Sequence, residues 1–281
     1  MGGVYRLVAL DVDGTLLTST GVLTSGVRHA VAKVKELGVW VTLATGRRYA
    51  STGYLARELG IDVPVVIHNG GAVVEPRDGR VLESTPLERA VAERAVRLLR
   101  KLGAFTFVFD DICCSEQAFF EEWPAEESAR KYVETEPQNV TQVADLLQCL
   151  PGRPLKLLVV DTPSVVCTAD SLLRAELGRE AKVFLYSGPG RFSSAVEVFG
   201  PSCSKAAGVA SVARRLGVSR NQVLAIGDDV NDVELLHYAG LGIAMHNSVP
   251  EALEAAAFVA PSNDSDGVAI ALRKYVLQEA S

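Results

Sequence analysis

Short apolar runs, each ending in a polar residue and followed by a helix-like segment, recur toward both ends of the chain. The first is RLVALD, and similar runs are VWVTLAT, VPVVIHN and QVLAIGD. They are apolar throughout rather than alternating, which is typical of strands covered on both faces. Strands that alternate with amphipathic helices favour a parallel, doubly wound sheet. We therefore predict an α/β fold in which the segment SGVRHAVAKVKELG is the first helix and Gly38 its stop.

The middle of the 281-residue chain has a different pattern. From about Val81 to Phe199 the strand-like runs are richer in aromatic residues, as in AFTFVFDDICCSE and KVFLYS, and long helix-like segments separate them. This pattern predicts an α+β insertion with an antiparallel sheet of its own. We place one domain in residues 1–82 and 200–281, and the insertion in residues 83–199.

Charge and cysteine usage exclude several classes of partner and site. The net charge of −6, with no run of Lys and Arg, argues against nucleic acid or an anionic membrane as the main partner. No apolar run approaches the roughly 18 residues that a membrane span needs, and we see no secretory signal. The five cysteines lack metal-like spacing, and we interpret the adjacent Cys113 and Cys114 as strand packing. Reduced thiols and a cytoplasmic location are therefore expected.

Polar residues end four of the predicted strands. Ligands bind at the carboxyl ends of strands in doubly wound sheets, which is where Asp11, Thr45, Asn69 and Asp228 are expected. Asp11 and Asp13 are two residues apart and can face one cavity, where a cation or a shared proton would make both acids tolerable. An acidic turn that merely caps a helix remains the alternative interpretation, both here and at GDDVND.

Other residues at this edge suit a phosphate group. Gly14 lets the backbone approach a ligand closely, and the hydroxyl, glycine and guanidinium of Thr45, Gly46 and Arg47 suit phosphate oxygens. Lys205 begins a helix, and both its ammonium group and the N-terminus of the helix favour binding of an anion. Asp228 offers a third carboxylate to a hard cation such as Mg²⁺. Together these residues fit phosphoryl transfer through an aspartyl-phosphate. We expect the neighbouring Arg48 and Asp229 to be solvated.

The order of these motifs carries a family resemblance. DVDGTL, TGR, a separate lysine and GDDVND resemble the four motifs of the haloacid-dehalogenase superfamily of phosphohydrolases. HNGG, GIAMHNS and SNDSDGVAIAL are similar to its Cof-type branch, whose members carry a type IIB α/β cap between the second and third motifs of a Rossmann-like core. The resemblance covers essentially the whole chain, and the insertion falls where that cap belongs. PSCS before the lysine and HNGG in place of NGA depart from the usual pattern.

The resemblance implies specific roles. Asp11 would be the nucleophile and Asp13 the general acid and base, while Asp232 would orient Lys205 or a metal-bound water. Mg²⁺ would be held by Asp11, Asp228 and the backbone carbonyl of Asp13. Lys205 would also contact the phosphoryl oxygens. We assign phosphate or substrate binding to the remaining candidates, which are Gly14, Thr45, Gly46, Arg47, Asn69 and Asn231.

The leading hypothesis is a Mg²⁺-dependent phosphatase of small phosphorylated metabolites, with sugar phosphates as the expected class. A phosphomutase on the same scaffold, a phosphoglycolate or cofactor phosphatase, and a catalytically silent binding protein are the alternatives. A receiver domain is disfavoured, because it would need neither the second acid nor a cap. Specificity is expected to lie in the cap, with four candidate side chains, Asp111, Glu116, Tyr186 and Arg191. The oligomeric state stays open.

Overall fold

The computed structural model of the chain describes residues 5–112, 116–135, 139–187 and 194–279. These residues form two compact units. The first, which we call the core unit, comprises Met1–Glu83 and Ser204–Ser281, and the second, the inserted unit, comprises Ser84–Cys203. Cys113, Cys114 and Arg191 lie outside the described residues. Along the described part of the chain, no helix is both long enough and apolar enough to cross a membrane.

The elements are numbered along the chain. The strands are β1 (Leu7–Leu10), β2 (Trp40–Leu43), β3 (Val65–Ile67), β4 (Ala72–Val74), β5 (Val81–Ser84), β6 (Thr106–Phe109), β7 (Ala118–Phe120), β8 (Val140–Gln142), β9 (Lys156–Val160), β10 (Lys182–Ser187), β11 (Ser194–Phe199), β12 (Val223–Gly227), β13 (Leu241–Met245) and β14 (Phe258–Ala260). The helices are α1 (Ser25–Glu36), α2 (Gly53–Glu58), α3 (Arg89–Leu102), α4 (Glu127–Thr135), α5 (Leu146–Cys149), α6 (Pro163–Leu177), α7 (Lys205–Arg215), α8 (Val233–Tyr238), α9 (Pro250–Ala255) and α10 (Gly267–Leu272).

The core unit is built on a parallel sheet with the strand order β14-β13-β12-β1-β2. Strand β1, which lies between β12 and β2, is buried on both faces, as its continuous apolar sequence predicts. Leu7 and Ala9 pack with side chains of α7 and α8, and Val8 and Leu10 are fully buried on the other face. This sheet confirms the predicted doubly wound α/β class.

Helix α1 begins and ends where its sequence indicates. The Thr24 side chain accepts a hydrogen bond from the backbone of Val27 at the start, which satisfies a donor that the helix itself leaves open. After the helix ends, Gly38 adopts a positive φ of 75°, which glycine takes without a steric penalty. These signals set the length of the segment that connects β1 to β2.

A small second sheet lies beside β2. Strands β3, β4 and β5 are neighbours in that order, and β3 pairs antiparallel with β4. One parallel bridge, between Ala44 and Val66, joins β3 to the chain after β2. The segment VPVVIHN is therefore a hairpin strand rather than a full member of the parallel sheet, yet it still brings Asn69 toward the carboxyl end of β2.

The inserted unit has a six-stranded sheet with the order β10-β11-β9-β6-β7-β8. Its pairs are antiparallel except for β7 with β8, so the predicted α+β character is confirmed. One face of the sheet is covered by the apolar sides of α3 and α6. On the other face, the rings of Phe107, Phe120 and Tyr132 pack edge to face.

A buried ion pair also lies on this second face of the inserted sheet. Lys156 on β9 contacts the Glu197 carboxylate on β11, and the Tyr186 hydroxyl lies 3.1 Å from the other Glu197 oxygen. The ammonium lies 4.7 Å from the ring centroid of Phe109 and 5.4 Å from that of Phe199. The two rings thus replace part of the hydration that burial removes from the lysine.

Candidate active site

Asp11 follows β1 directly and is only 4% exposed. Its backbone N–H donates to the Ile226 carbonyl, which continues the ladder between β1 and β12. The next residues turn sharply, and Gly14 has a φ of 74°. A Cβ atom at Gly14 would lie 2.1 Å from an Asp228 carboxylate oxygen, so only glycine lets the two segments approach this closely.

Lys205 brings a cation into this buried turn. It is the first residue of α7, whose N-terminus is capped by the Ser204 side chain. The Lys205 Nζ atom donates to Oδ1 of Asp11 at 2.7 Å and to Oδ1 of Asp232 at 2.8 Å. All three side chains are almost fully buried, so their charges interact with little screening by water.

The segment after β12 supplies Asp228 and Asp232. The second oxygen of Asp232 accepts the backbone N–H groups of Asp228 and Asp229 at 3.1 and 3.2 Å. The Thr15 hydroxyl donates to Oδ1 of Asp228 at 2.6 Å and so links this segment to the turn after Asp11. Asp229 is half-buried and caps the turn by accepting from Val230, so the expectation that it is solvated was wrong.

The acids form a cluster that could hold a cation. Carboxylate oxygens of Asp11, Asp228 and Asp232 lie within 4.8 Å of one another. Both oxygens of Asp232 are engaged by Lys205 and backbone N–H groups. Within the described residues, Asp11 and Asp228 each accept side-chain hydrogen bonds through only one carboxylate oxygen. Hard oxygen ligands from these two acids fit Mg²⁺.

The electrostatics of the cluster also favour an added cation. Burial, together with the charge of Asp232, raises the pKa of Asp11 well above its usual range and the pKa of Asp228 to about 7. Burial alone would lower the pKa of Lys205, but Asp11 and Asp232 outweigh it and the pKa is raised. The lysine therefore stays charged, and one ammonium faces three carboxylates.

Asp13 lies in a different environment from Asp11. Its carboxylate is 63% exposed, and both of its oxygens are held by Arg47, with Nε at 2.7 Å and Nη2 at 2.5 Å. The hydrogen bond to Asp13 raises the pKa of Arg47. Arg47, which the sequence places among the phosphate-binding candidates, thus contacts the second acid instead. The next residue, Arg48, is only 3% exposed, so its predicted solvation was wrong.

The remaining phosphate-binding candidates surround the end of β2. Thr45 is buried and its hydroxyl accepts from the Arg47 backbone at 3.1 Å, while its carbonyl accepts from Asn69. The Asn231 amide donates to the Asn69 side chain at 2.9 Å. A Cβ atom at Gly46 would lie 2.9 Å from the same Asn69 oxygen. The fold therefore brings Thr45, Gly46, Asn69 and Asn231 together.

Two asparagines near the site were missed from the sequence. Asn247 donates to the Gly14 carbonyl, and Asn263 donates to the Leu17 carbonyl, both at 2.8 Å. They follow β13 and β14, so they lie at the same edge of the sheet as Asp11. Their positions after these strands were a signal that could have identified them. Two histidines also lie at strand ends: His68, after β3, is buried, and His246, after β13, is exposed.

Comparison with known proteins identifies relatives of the whole chain. A family model described as haloacid dehalogenase-like hydrolase matches residues 8–272. The chain is 28% identical over 272 residues to the 5-amino-6-(5-phospho-D-ribitylamino)uracil phosphatase YitU of Bacillus subtilis, covering 96% of this chain and 97% of the relative. It is 25% identical over 250 residues to the HMP-PP phosphatase of Cronobacter sakazakii, covering 88% of this chain and 86% of the relative.

A solved structure has the same fold. A haloacid dehalogenase-like hydrolase from Bacteroides thetaiotaomicron superposes with a TM-score of 0.78 at 24% identity. The match covers 96% of this chain and 99% of that structure. The core and the insertion therefore both have counterparts in one known architecture.

Proposed function

The chain belongs to the haloacid dehalogenase-like hydrolase family, and we propose that it is a Mg²⁺-dependent phosphatase that acts through a phosphorylated Asp11. As a member with relatives named phosphatases, it is an enzyme of the phosphatase type. The observation that supports this proposal is the convergence of Asp11, Lys205 and Asp228 in one largely buried cluster. Phosphoryl transfer needs positioning and charge neutralisation, and these groups supply both.

The first half-reaction transfers the phosphoryl group to the protein. A carboxylate oxygen of Asp11 attacks phosphorus as the bond to the leaving oxygen breaks. Asp13, released from Arg47 by the substrate phosphate and protonated from solvent, gives its proton to that oxygen, so a neutral alcohol departs. Lys205, Thr45 and Asn231 hold the phosphoryl oxygens and fix the line of attack.

The second half-reaction regenerates the protein. Water attacks the phosphorus of the acyl phosphate, Asp13 takes the water proton, and the bond between phosphorus and the Asp11 oxygen breaks. Inorganic phosphate leaves, and both carboxyl groups return to their starting state. Each step conserves atoms and protons: Asp13 carries the proton in both half-reactions, and Asp11 forms and then breaks the bond to phosphorus.

The cation has a restricted role in this scheme. Asp11 and Asp228, with the backbone carbonyl of Asp13, would hold Mg²⁺ at the acidic cluster. When bound, the ion would neutralise negative charge on Asp11 and on the phosphoryl oxygens. Asp232 would keep Lys205 in place, because its oxygens already bind the ammonium and the backbone.

The proposed substrates are phosphate monoesters of small metabolites, with sugar phosphates as the first class to test. A ribityl phosphate deserves inclusion, because the relative YitU is named for a substrate with a phosphorylated ribityl group. The inserted unit would select the leaving group. Tyr186 is then one of the side chains to examine, although it already contacts Glu197.

The test is phosphate release by the purified protein over a panel of phosphosugars, polyol phosphates, phosphoglycolate, nucleotides and cofactor phosphates. Each assay is run in EDTA and again with added Mg²⁺, and Asp11→Asn serves as the matched inactive variant. We expect Mg²⁺-dependent release by the wild type alone. An isomeric sugar phosphate without free phosphate would indicate a mutase. Equal release by the Asp11→Asn variant would contradict the proposal.

A further inference from the structure

Two asparagines from the C-terminal part of the chain hold the segment that follows Asp11. Asn247 donates its side-chain N–H to the Gly14 carbonyl, and Asn263 donates to the Leu17 carbonyl, each at 2.8 Å. We call Asn247 and Asn263 the asparagine brace. One acceptor, Gly14, lies inside the turn that begins immediately after the proposed nucleophile, and the other, Leu17, follows that turn.

The two members of the brace are bonded to each other. The backbone N–H of Asn263 donates to the side-chain oxygen of Asn247 at 3.1 Å. This bond fixes which end of the Asn247 amide is the acceptor, so its N–H₂ group faces Gly14. The loops after β13 and β14 thus orient one donor toward one carbonyl.

The anchored carbonyl controls the geometry of the turn. A peptide group is planar and trans, so holding the Gly14 carbonyl also sets the direction of the Thr15 N–H. The Thr15 hydroxyl is bonded in turn to Asp228. The turn is therefore held at Gly14, Thr15 and Leu17, by groups from three separate loops.

The same C-terminal segment holds the chain beyond the turn. Asp264 accepts the backbone N–H of Ser19 at 2.8 Å, and Asp266 accepts the Thr24 hydroxyl at 2.5 Å. Thr24 is the cap of α1, so these contacts extend from the turn to the start of that helix. Residues 263–266 thereby fix the path of the connection between β1 and α1.

We propose that Asn247 and Asn263 are positioning residues that hold the Asp11 carboxylate in line with the substrate phosphorus. The proposal rests on the proposed function, in which Asp11 is the nucleophile. Neither asparagine touches the reacting atoms; each acts through the backbone of the turn. Because a displacement of about 1 Å can cost roughly a hundredfold in rate, losing one anchor of the turn should lower kcat with little effect on KM.

Variants of Asn247 separate positioning from simple structural support. Asn247→Asp keeps an acceptor for the Asn263 N–H but loses the donor to Gly14, and Asn247→Ala loses both without adding charge. Asn247→Gln keeps the amide on a longer arm. We expect kcat to fall about tenfold in the Ala and Asp variants and to recover in part in the Gln variant. Asn221→Ala, which removes an exposed asparagine before β12, is the matched control.

The experiment combines steady-state kinetics, thermal melting and hydrogen–deuterium exchange of the peptide covering residues 11–18. The expected result is a lower kcat, an unchanged KM and faster exchange in Asn247→Ala and Asn247→Asp, with Asn221→Ala like the wild type. Asn263→Ala should show the same direction of change. An Asn247→Asp variant with wild-type kcat and wild-type exchange would overturn the brace. A wild type that releases no phosphate would refute the proposed function instead. Hydrogen–deuterium exchange would still test the asparagine brace in that case, because unchanged exchange in Asn247→Ala would show that Asn247 does not hold the turn.

Discussion

Arg47 holds both carboxylate oxygens of Asp13, through Nε at 2.7 Å and Nη2 at 2.5 Å. Two residues earlier, Asp11 is held by the buried ammonium of Lys205. The two acids that close the first strand thus have separate cations and very different exposure. Because each carboxylate contacts its own cation, the repulsion expected between the two neighbouring acids is reduced. Their different environments suit the different roles that we propose for them.

Replacing Arg47 should impair catalysis rather than folding. A substrate phosphate can offer the guanidinium two oxygens, as the Asp13 carboxylate does, so we expect it to compete for Arg47 and release the acid. Arg47→Ala should lower kcat/KM roughly a hundredfold, and Arg47→Lys should restore little because it cannot form the paired bonds. The measurement is steady-state kinetics, with Arg57→Ala on the exposed side of α2 as the control. Full activity in Arg47→Lys would argue against this role.

Removing Lys205 should damage both stability and activity. Lys205→Met would leave Asp11 and Asp232 buried without their shared cation. Breaking a buried pair from one side costs roughly 3–5 kcal/mol, so the free energy of unfolding should fall by about that amount. Denaturant titration measures the loss. Added Mg²⁺ should recover part of the stability, because a second cation can take over the charge of Asp11.

Asp228 should make the metal-free protein less stable as the pH rises. Burial, then the charge of Asp232, raises its native pKa to about 7, above the roughly 3.9 of an unfolded aspartate. At pH values between these two pKa values, the folded state therefore retains a proton that the unfolded chain has lost. The resulting penalty is absent below about pH 4, grows as the pH rises and is complete above pH 7.

The variant Asp228→Asn isolates this effect. Without divalent cations it should exceed the wild type in stability by up to roughly 4 kcal/mol at pH 8, with the difference shrinking toward pH 5. Added Mg²⁺ should stabilise the wild type more than the variant, since the variant lacks one carboxylate of the proposed cation site. Thermal melting in EDTA and in Mg²⁺ at both pH values measures this, with the exposed Asp62→Asn as control. A variant less stable than the wild type at pH 8 in EDTA would contradict it.

Removing one partner of the buried ion pair in the inserted unit should lower the free energy of unfolding more, per residue changed, than removing both partners. Lys156→Met alone leaves the Glu197 carboxylate buried, at a cost of roughly 3–5 kcal/mol. The double variant Lys156→Met/Glu197→Leu should cost clearly less than the two single changes added together. Arg94→Ala, which breaks an exposed pair with Glu180, should change little. Additive losses in the double variant would show that the charges do not interact.

Much of the site could be predicted because it lies at strand ends. Uniformly apolar runs indicate strands buried on both faces, and parallel pairing then places Asp11 and Asp228 at one edge. The hairpin that carries Asn69 was taken for a parallel strand, yet the prediction of its place at the edge stands, because the bridge from Ala44 to Val66 guides the chain there. Strand ends are local features of the sequence, so their predicted positions can be correct even where the predicted pairing of the strands is wrong.

The partners of side chains could not be predicted in the same way. The pairing of Asp13 with Arg47 depends on rotamers and on the path of the chain between them, and Arg48 differs from Arg47 only in the direction it points. Asn247 and Asn263 occur in turns, where asparagine usually bonds its own backbone. Charged residues on a strand usually indicate solvent, so the buried pair of Lys156 and Glu197 was also missed.

The covalent intermediate on Asp11 is the central claim, and rapid-quench mass spectrometry tests it most directly. The variant Asp13→Asn lacks the base for the second half-reaction, so it should accumulate the phosphorylated protein when mixed with a reactive phosphate ester and Mg²⁺. We predict one added phosphoryl group on the peptide that contains Asp11, removed by hydroxylamine and absent when Asp11→Asn is introduced as well. A phosphoryl group on another residue, or phosphate release by the wild type with no phosphorylated protein at any time, would contradict the account.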